Sequence, residues 1–161
     1  MKYNTENLIR QERLMPEERA LELLKTCEYG YLSMVTEAGE AYGVPINYVW
    51  DGKDSIYMHC APKGRKNDAI ATHPQVSFCI VGYVNLLPEK FSTERESVIL
   101  NGTARMLTAD EEKLEALHLL LHKLSPQHLE KGYKYAENSL KRVAIIRMDI
   151  SDYCGKWRVL R

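Results

Sequence analysis

A chain of 161 residues, 45% apolar and 27% charged, has the composition of one ordinary soluble domain, long enough for a real hydrophobic core. Its 22 basic and 22 acidic residues cancel, which argues against a general nucleic-acid or membrane-surface binder, so any basic function must be local. No apolar run approaches the roughly 20 residues of a membrane span. The start, Met1-Lys-Tyr-Asn-Thr-Glu, lacks a signal-peptide core, so a cytoplasmic protein is expected.

Pro16-Glu17-Glu18 opens a helix, with proline in the first turn and acids facing the dipole. Leu21, Leu24 and Cys27 give it an apolar stripe, and Gly30 is the expected stop. Strand patterns follow at residues 31–36 and 41–50 around the turn Glu37-Ala-Gly-Glu40, which reads as a hairpin. A second turn, Asp51-Gly52-Lys53-Asp54, leads to a strand over 55–59. A short helix over 65–72 closes at His73-Pro74, and residues 76–84 and 97–107 form two β-branched strands. The polar segment 85–95, with Pro88, reads as a mobile loop.

Thr108-Ala-Asp-Glu111 has the pattern of a capping box, and Leu114, Leu117, Leu121 and Leu124 form a helix stripe up to Pro126. Residues 127–139 leave room for a short helix, 142–149 form a last strand, and 153–157 read as a tail. The inventory is about six strands and two main helices. The strands are mostly joined by turns, and six antiparallel strands hide their edges by closing on themselves. The expected fold is mainly β: a six-stranded antiparallel Greek-key barrel with peripheral helices, one domain over 1–161.

Cys27, Cys60, Cys79 and Cys154 are scattered without a C-x-x-C pair, so free thiols are expected and no zinc framework is visible. His118 and His122 stand four apart on a helix, but no further ligands lie near them in sequence, which favours two ordinary helix histidines.

The most informative stretch is Ser55-Ile-Tyr-Met-His-Cys-Ala-Pro-Lys-Gly-Arg-Lys-Asn-Asp-Ala-Ile70. A strand enters a Pro/Gly turn, and two adjacent cations open a helix. The first N–H groups of a helix have no internal acceptor and carry the positive end of its dipole. Arg65 and Lys66 add full charge, Lys63 precedes them, and Gly64 permits close backbone approach to an anion. The plainer alternative is a strand-turn-helix link with solvated cations. Val44-Pro45-Ile46-Asn47 places a proline in a strand, so that strand is an edge or is bulged against something else. Trp157, in the polar context Gly155-Lys156-Trp157-Arg158, must be tucked against its own barrel or a partner.

In their order and spacing these segments resemble one family. They are the run Cys27-Glu-Tyr-Gly-Tyr-Leu-Ser-Met-Val-Thr36, then Gly39-Glu-Ala-Tyr-Gly-Val-Pro-Ile-Asn-Tyr-Val49, then Tyr57-Met-His-Cys60 with Gly64-Arg-Lys66. His73-Pro-Gln-Val-Ser-Phe78 and Ser97-Val-Ile-Leu-Asn-Gly-Thr-Ala-Arg105 complete the set. From about Glu17 onward the chain resembles the FMN-binding split barrels of the pyridoxamine 5′-phosphate oxidase-like superfamily, and within it the nitroimidazole-resistance (Nim-like) branch.

The resemblance implies a homodimer with FMN, or FAD, at the interface. It assigns Val44, Pro45, Ile46 and Asn47 to the flavin ring, with His59 and Cys60 beside it. Lys63, Gly64, Arg65 and Lys66 fall to the phosphate, and Trp157 to a segment that closes over the partner's flavin. His59 is the implied proton donor to a small electron-poor substrate, with electrons from transiently docked NAD(P)H or a donor protein, since no G-x-G-x-x-G follows a strand.

Vitamin B6 oxidases of this superfamily carry basic residues where this chain has Val44 and Val49, and a serine at Gly64. They also end in an Arg/His substrate signature absent from residues 153–161, so B6 oxidation is not expected. A flavin-binding carrier or sensor without turnover is the alternative. Haem binding through His59 is disfavoured, because nothing else in the chain is tailored for haem.

Overall fold

A two-residue alternation of more and less buried positions, rather than of apolar and polar residues, runs through most strands of this molecule. In the computed structural model, which describes residues 1–6 and 8–159, β2 (Tyr29–Val35) turns Leu32 and Met34 inward and Tyr29, Tyr31 and Val35 outward. The same two-residue period runs through β3 (Ala41–Asn47), β5 (Ser55–Cys60), β6 (Gln75–Leu87) and β7 (Ser92–Met106). β8 (Ala144–Arg158) completes the set, with two-residue strands β1 (Lys2–Tyr3) and β4 (Val49–Trp50). The strands form one sheet in the order β3-β2-β6-β7-β8-β5-β4, and β1 pairs parallel to β8. The sheet curls into a Greek-key split barrel around Leu32, Ile56, Met58, Phe78, Ile80, Leu100, Ile146 and Met148, all fully buried.

Helices α1 (Glu17–Thr26), α2 (Arg65–Thr72), α3 (Asp110–Leu124) and α4 (Leu129–Ser139) lie around the barrel. A second, smaller core forms where Ala116 and Leu120 of α3 meet Val49, Leu107 and Ile145 on the far face of the sheet.

The architecture is the expected one, with eight strands among the described residues instead of about six, because β1 and β4 are too short for a sequence period to reveal. Four local expectations are corrected. The segment 85–95 is no mobile loop: β6 and β7 stay paired out to Leu87↔Ser92, and Asn85 Nδ2 donates to Glu94 Oε2 at 3.1 Å. The arm turns through Pro88–Lys90 and a left-handed Phe91 (φ 47°), and its two-sided exposure removes the alternation that marks a half-buried strand.

The expected C-terminal tail is instead the last part of β8, paired with β7 from Asn101↔Asp152 to Arg95↔Arg158. A register shift after Asn101 interrupts its sequence period. There Gly102 runs so close to β8 that a Cβ would meet the Asp149 carbonyl oxygen at 2.1 Å. Leu160 and Arg161, the last residues of the stretch 153–161 that lacks the substrate signature, lie outside the described residues.

No capping box forms. Leu107 N–H still donates to Ile145 O beside the sheet (2.8 Å), and α3 starts at Asp110 with an extended Ala109 as its cap, one residue past the position that the capping box needs at Thr108. Finally, α1 ends at Thr26 rather than at Gly30, which lies inside β2. The buried face of α1 is Ala20, Leu23 and Leu24.

Candidate functional site

β3 has a neighbour on one side only: it pairs with β2 throughout, Pro45 opposite Tyr31, and ends the sheet. Its other edge comes close to β5 without forming a ladder with it, which leaves the barrel split along a seam between the two strands. Proline is tolerated here because the missing N–H would have faced the seam or solvent. Val44 and Ile46 turn toward the barrel core, and Pro45 and Asn47 are exposed. Asn47 Nδ2 donates to Glu28 O at 3.1 Å, pinning the end of the strand to the α1–β2 link.

The turn between β5 and α2 is organised by a residue that sequence reading passed over. Asn67 Nδ2 donates to Ala61 O (3.1 Å) and Pro62 O (3.0 Å), and its Oδ1 lies 3.9 Å from Cys60 Sγ. An asparagine three residues after a Pro-Lys-Gly turn was the available signal, because its side chain can bond back to the carbonyls it has just passed. Gly64 caps α2 at φ 149°, a backbone conformation that other residues adopt at a cost. Its carbonyl accepts from Asn67 N (2.9 Å) and Asp68 N (3.2 Å). The N–H groups of Arg65 and Lys66 therefore remain at the open end of the helix.

The charges at that end are divided. The Arg65 guanidinium lies 4.4 Å above the Tyr42 ring and donates to Glu40 Oε2 at 3.1 Å, so it reaches across to the start of β3. Glu37, Glu40 and Asp68 line the groove on that side, which is unfavourable for an anion. Lys66 is half-buried on the Cys60 side, and its charge acts on the Cys60 thiol. Burial pushes that thiol up and Lys66 pulls it back less strongly, so Cys60 is a protonated packing residue at neutral pH rather than a nucleophile. Lys63 is exposed on the turn. The seam thus offers an unpaired strand edge, a helix N-terminus and Lys66 at one place, a set that fits a flavin nucleotide: peptide groups for a ring edge, amides and a cation for a phosphate.

The pleat separates His59 from Cys60. Cys60 faces the seam and core, whereas His59 points to the opposite face, where its exposed imidazole stands at the mouth of a cavity between α3 and α4. Trp157 belongs to β8 opposite Glu96 of β7 and packs against its own barrel core, beyond the part of β8 that pairs with β5. The structure therefore brings Val44, Pro45, Ile46, Asn47, Cys60, Gly64 and Lys66 around one seam, turns Arg65 aside to Glu40 and Tyr42, leaves Lys63 exposed on the turn, places His59 on the opposite face of β5, and leaves Trp157 apart.

His118 and His122 both pack on Tyr133, with ring centroids at 4.6 and 6.0 Å, and Tyr133 Oη lies 2.7 Å from His122 Nε2. A third α3 residue was not anticipated. Lys123 Nζ sits 3.7 Å above the Tyr48 ring with no hydrogen-bond partner, while Tyr48 Oη donates to Leu24 O at 2.8 Å. Burial pushes the amine down to about 8, partly offset by Cys27 and Glu28.

Because the folded value lies below the unfolded one, the unfolded chain holds the proton more tightly, and wild-type stability rises with pH between about 8 and the ordinary lysine value of 10.5. The Lys123→Met protein is expected to be more stable by about 1 kcal/mol at neutral pH and to lack that rise. The cation–π contact and remaining solvent exposure keep the gain small. Urea titrations at pH 7 and pH 10 measure both, and a destabilised Met variant would mean that the ring contact outweighs the burial.

Solved structures with this fold are numerous. A candidate 5-nitroimidazole antibiotic resistance protein from Bacteroides thetaiotaomicron superposes with a TM-score of 0.77 at 18% identity, over 90% of this chain and 86% of that one. The flavocytochrome Anf3 from Azotobacter vinelandii gives a TM-score of 0.80 at 19% identity, over 97% of this chain and 74% of the other. An FAD and haem binding protein from Mycobacterium smegmatis gives 0.71 at 20% identity, over 88% and 71%. At these identities the likeness is one of fold. No curated protein matches the sequence. The family model described as pyridoxamine 5′-phosphate oxidase matches residues 16–157, nearly the whole barrel with its seam, and the chain belongs to that family.

Proposed function

We propose that this chain holds a flavin nucleotide, FMN or FAD, in the β3–β5 seam and uses it to reduce small electron-poor molecules of the nitroimidazole type. The observation that carries this reading is the unpaired edge of β3 at Val44, Pro45, Ile46 and Asn47 running beside β5, whose last residue, Cys60, leads into the turn to the amide end of α2 and feels the charge of Lys66. Membership of the family and the shared fold with proteins named for flavin support it.

When bound, the flavin supplies the electron transfer itself. The chain's part is to hold the ring edge through β3 peptide groups and a phosphate through the α2 amides and Lys66, with Arg65 bracing α2 against β3. His59 presents a ring N–H on the far side of β5. Electrons come from NAD(P)H or a donor protein docking transiently.

A second copy of the chain is the cover this reading assigns to the flavin. It is supported by the apolar row Tyr31, Cys79, Ile99 and Cys154 across β2, β6, β7 and β8, in which Tyr31 is 45% and Ile99 46% exposed. The protein is read here as working in the cytoplasm, and no helix among the described residues is long and apolar enough to cross a membrane.

A visible spectrum of the purified protein tests the cofactor: flavin bands are expected, and a Soret band in their place would transfer the seam to haem. Lys66→Ala is expected to weaken flavin binding at least tenfold, through loss of one charge-assisted contact worth roughly 1.5–3 kcal/mol, in a protein that sediments as a dimer when loaded. Undiminished affinity in that variant would move the phosphate elsewhere.

A further inference from the structure

The leucine stripe of α3, expected as core or interface, is only partly core. Leu120 is buried, while Leu117, Leu121 and Leu124 are incompletely covered. Together with Ala136 of α4 and Val143 they wall a cavity of about 220 Å³ between the two helices, on the face of β5 away from the seam. Gly132 brings the helices together at one side, for a Cβ there would meet Leu121 Cδ2 at 2.7 Å.

The lining decides what chemistry the space accepts. Among the described residues no lysine, arginine, aspartate or glutamate lines it, so an ionic ligand would leave water without a countercharge. Phosphates, carboxylates and dinucleotides are thereby excluded. The volume lies below the roughly 300–1,000 Å³ of sites for drug-sized ligands, which excludes haem and a flavin. A leucine-lined space of this order holds no ordered water and has room for a single ring. One polar group marks its inner wall. Ser139 is only 3% exposed, and its hydroxyl proton is committed to Ala136 O at 3.2 Å. Toward a ligand the Ser139 oxygen can therefore only accept.

We infer that the α3–α4 cavity binds one neutral aromatic ring carrying a single hydrogen-bond donor, the chemistry of a phenol or an indole. The ring lies among the leucines and its O–H or N–H donates to Ser139 Oγ. This is a binding site and not a site of reduction. Cavity and seam lie on opposite faces of β5, His59 toward the first and Cys60 toward the second, so the ligand is bound and released unchanged. The inference stands on the lining residues alone and does not rest on the flavin reading of the seam.

Phenol, toluene and benzoate are the probes, titrated into the purified protein at pH 7 and followed by calorimetry and methyl-resolved NMR. Phenol is expected to bind once per chain, to shift the Leu117, Leu121 and Leu124 methyls, and to raise Tm as its concentration passes Kd. Benzoate, the same ring with a charge, is expected not to bind. Ser139→Ala should weaken phenol about fivefold, the scale of one net hydrogen bond, and leave toluene unchanged. Val143→Trp, at the partly exposed rim, should weaken phenol and toluene alike by about tenfold or more through lost space.

Leucine methyls that phenol does not shift, benzoate binding as tightly as phenol, or phenol affinity unchanged in a folded Val143→Trp protein each overturn the site. Equal losses of phenol and toluene in Ser139→Ala overturn the donor contact and with it the ligand class. Leu121→Ala, which widens the space, keeps the inference testable if the tryptophan variant does not fold. It should admit 1-naphthol that the wild type rejects, and equal naphthol binding by both proteins places the ring elsewhere.

Discussion

Arg19→Ala is expected to remove about 3 kcal/mol of stability at neutral pH, equivalent to a fall of roughly 10 °C in Tm for a domain of this size. Arg19 joins α1 to β7 by a two-pronged bond to Glu96, Nε to Oε1 at 2.9 Å and Nη2 to Oε2 at 2.7 Å, and also meets Glu22 at 2.7 Å. Glu96 is only 7% exposed, and its remaining contact is a long one from Tyr83 N–H at 3.4 Å. Truncating the arginine therefore leaves a buried carboxylate without its counterion, which costs far more than the loss of a surface pair.

The pH dependence follows in sign. Arg19 holds the Glu96 carboxyl below its ordinary value of 4.5, so the stabilisation is fully present above that value and is lost as pH falls through the depressed one. The gap between wild type and variant should be widest at neutral pH and close in acid. Thermal melts at pH 7 and pH 3 measure it, and equal melting temperatures at pH 7 would show that the pair contributes nothing.

His59→Ala is expected to retain flavin and to slow reoxidation of the reduced flavin by a nitroimidazole about 100-fold, the usual scale of general-acid assistance. The imidazole is solvent-exposed, lies opposite Ile145 in the β5–β8 ladder, and opens onto the cavity rather than onto the seam. From that position a ring N–H is replenished from solvent, and the flavin-reductase reading makes it the proton donor to the acceptor. His59→Gln, which keeps a donor but cannot recycle a proton as readily, should recover substrate affinity and little of the rate. Stopped-flow mixing of reduced protein with the acceptor separates the two quantities. If the alanine variant reoxidises as fast as wild type, His59 only lines the cavity, and the carrier or sensor reading gains ground over the enzyme.

Strand periods, turn residues and the order of segments pointed to a Greek-key barrel with outlying helices, to a strand at Pro45 that is an edge or is bulged, and to a helix over 65–72; the structure decides for the edge. A two-residue period records which face is buried, proline records where a ladder bond is missing, and Gly64 followed by two cations records a helix start. The separation of Arg65 from Lys66 was not legible, since it depends on Glu40 and Tyr42, more than twenty residues earlier, lying against α2.

Nor was the opposite facing of His59 and Cys60 given its weight. Adjacency in sequence suggests a joint role, whereas adjacency in a strand puts side chains on opposite faces. The long β6–β7 arm and the strand character of residues 153–157 escaped notice because a two-sided arm and a register shift both erase the alternation. Tertiary packing alone decided three things: that α3 and α4 stop short of filling the space behind His59, that Lys123 lies unpartnered on Tyr48, and that Trp157 is held by its own barrel. Each is set by the distance between elements far apart in the chain, a quantity that no local pattern encodes.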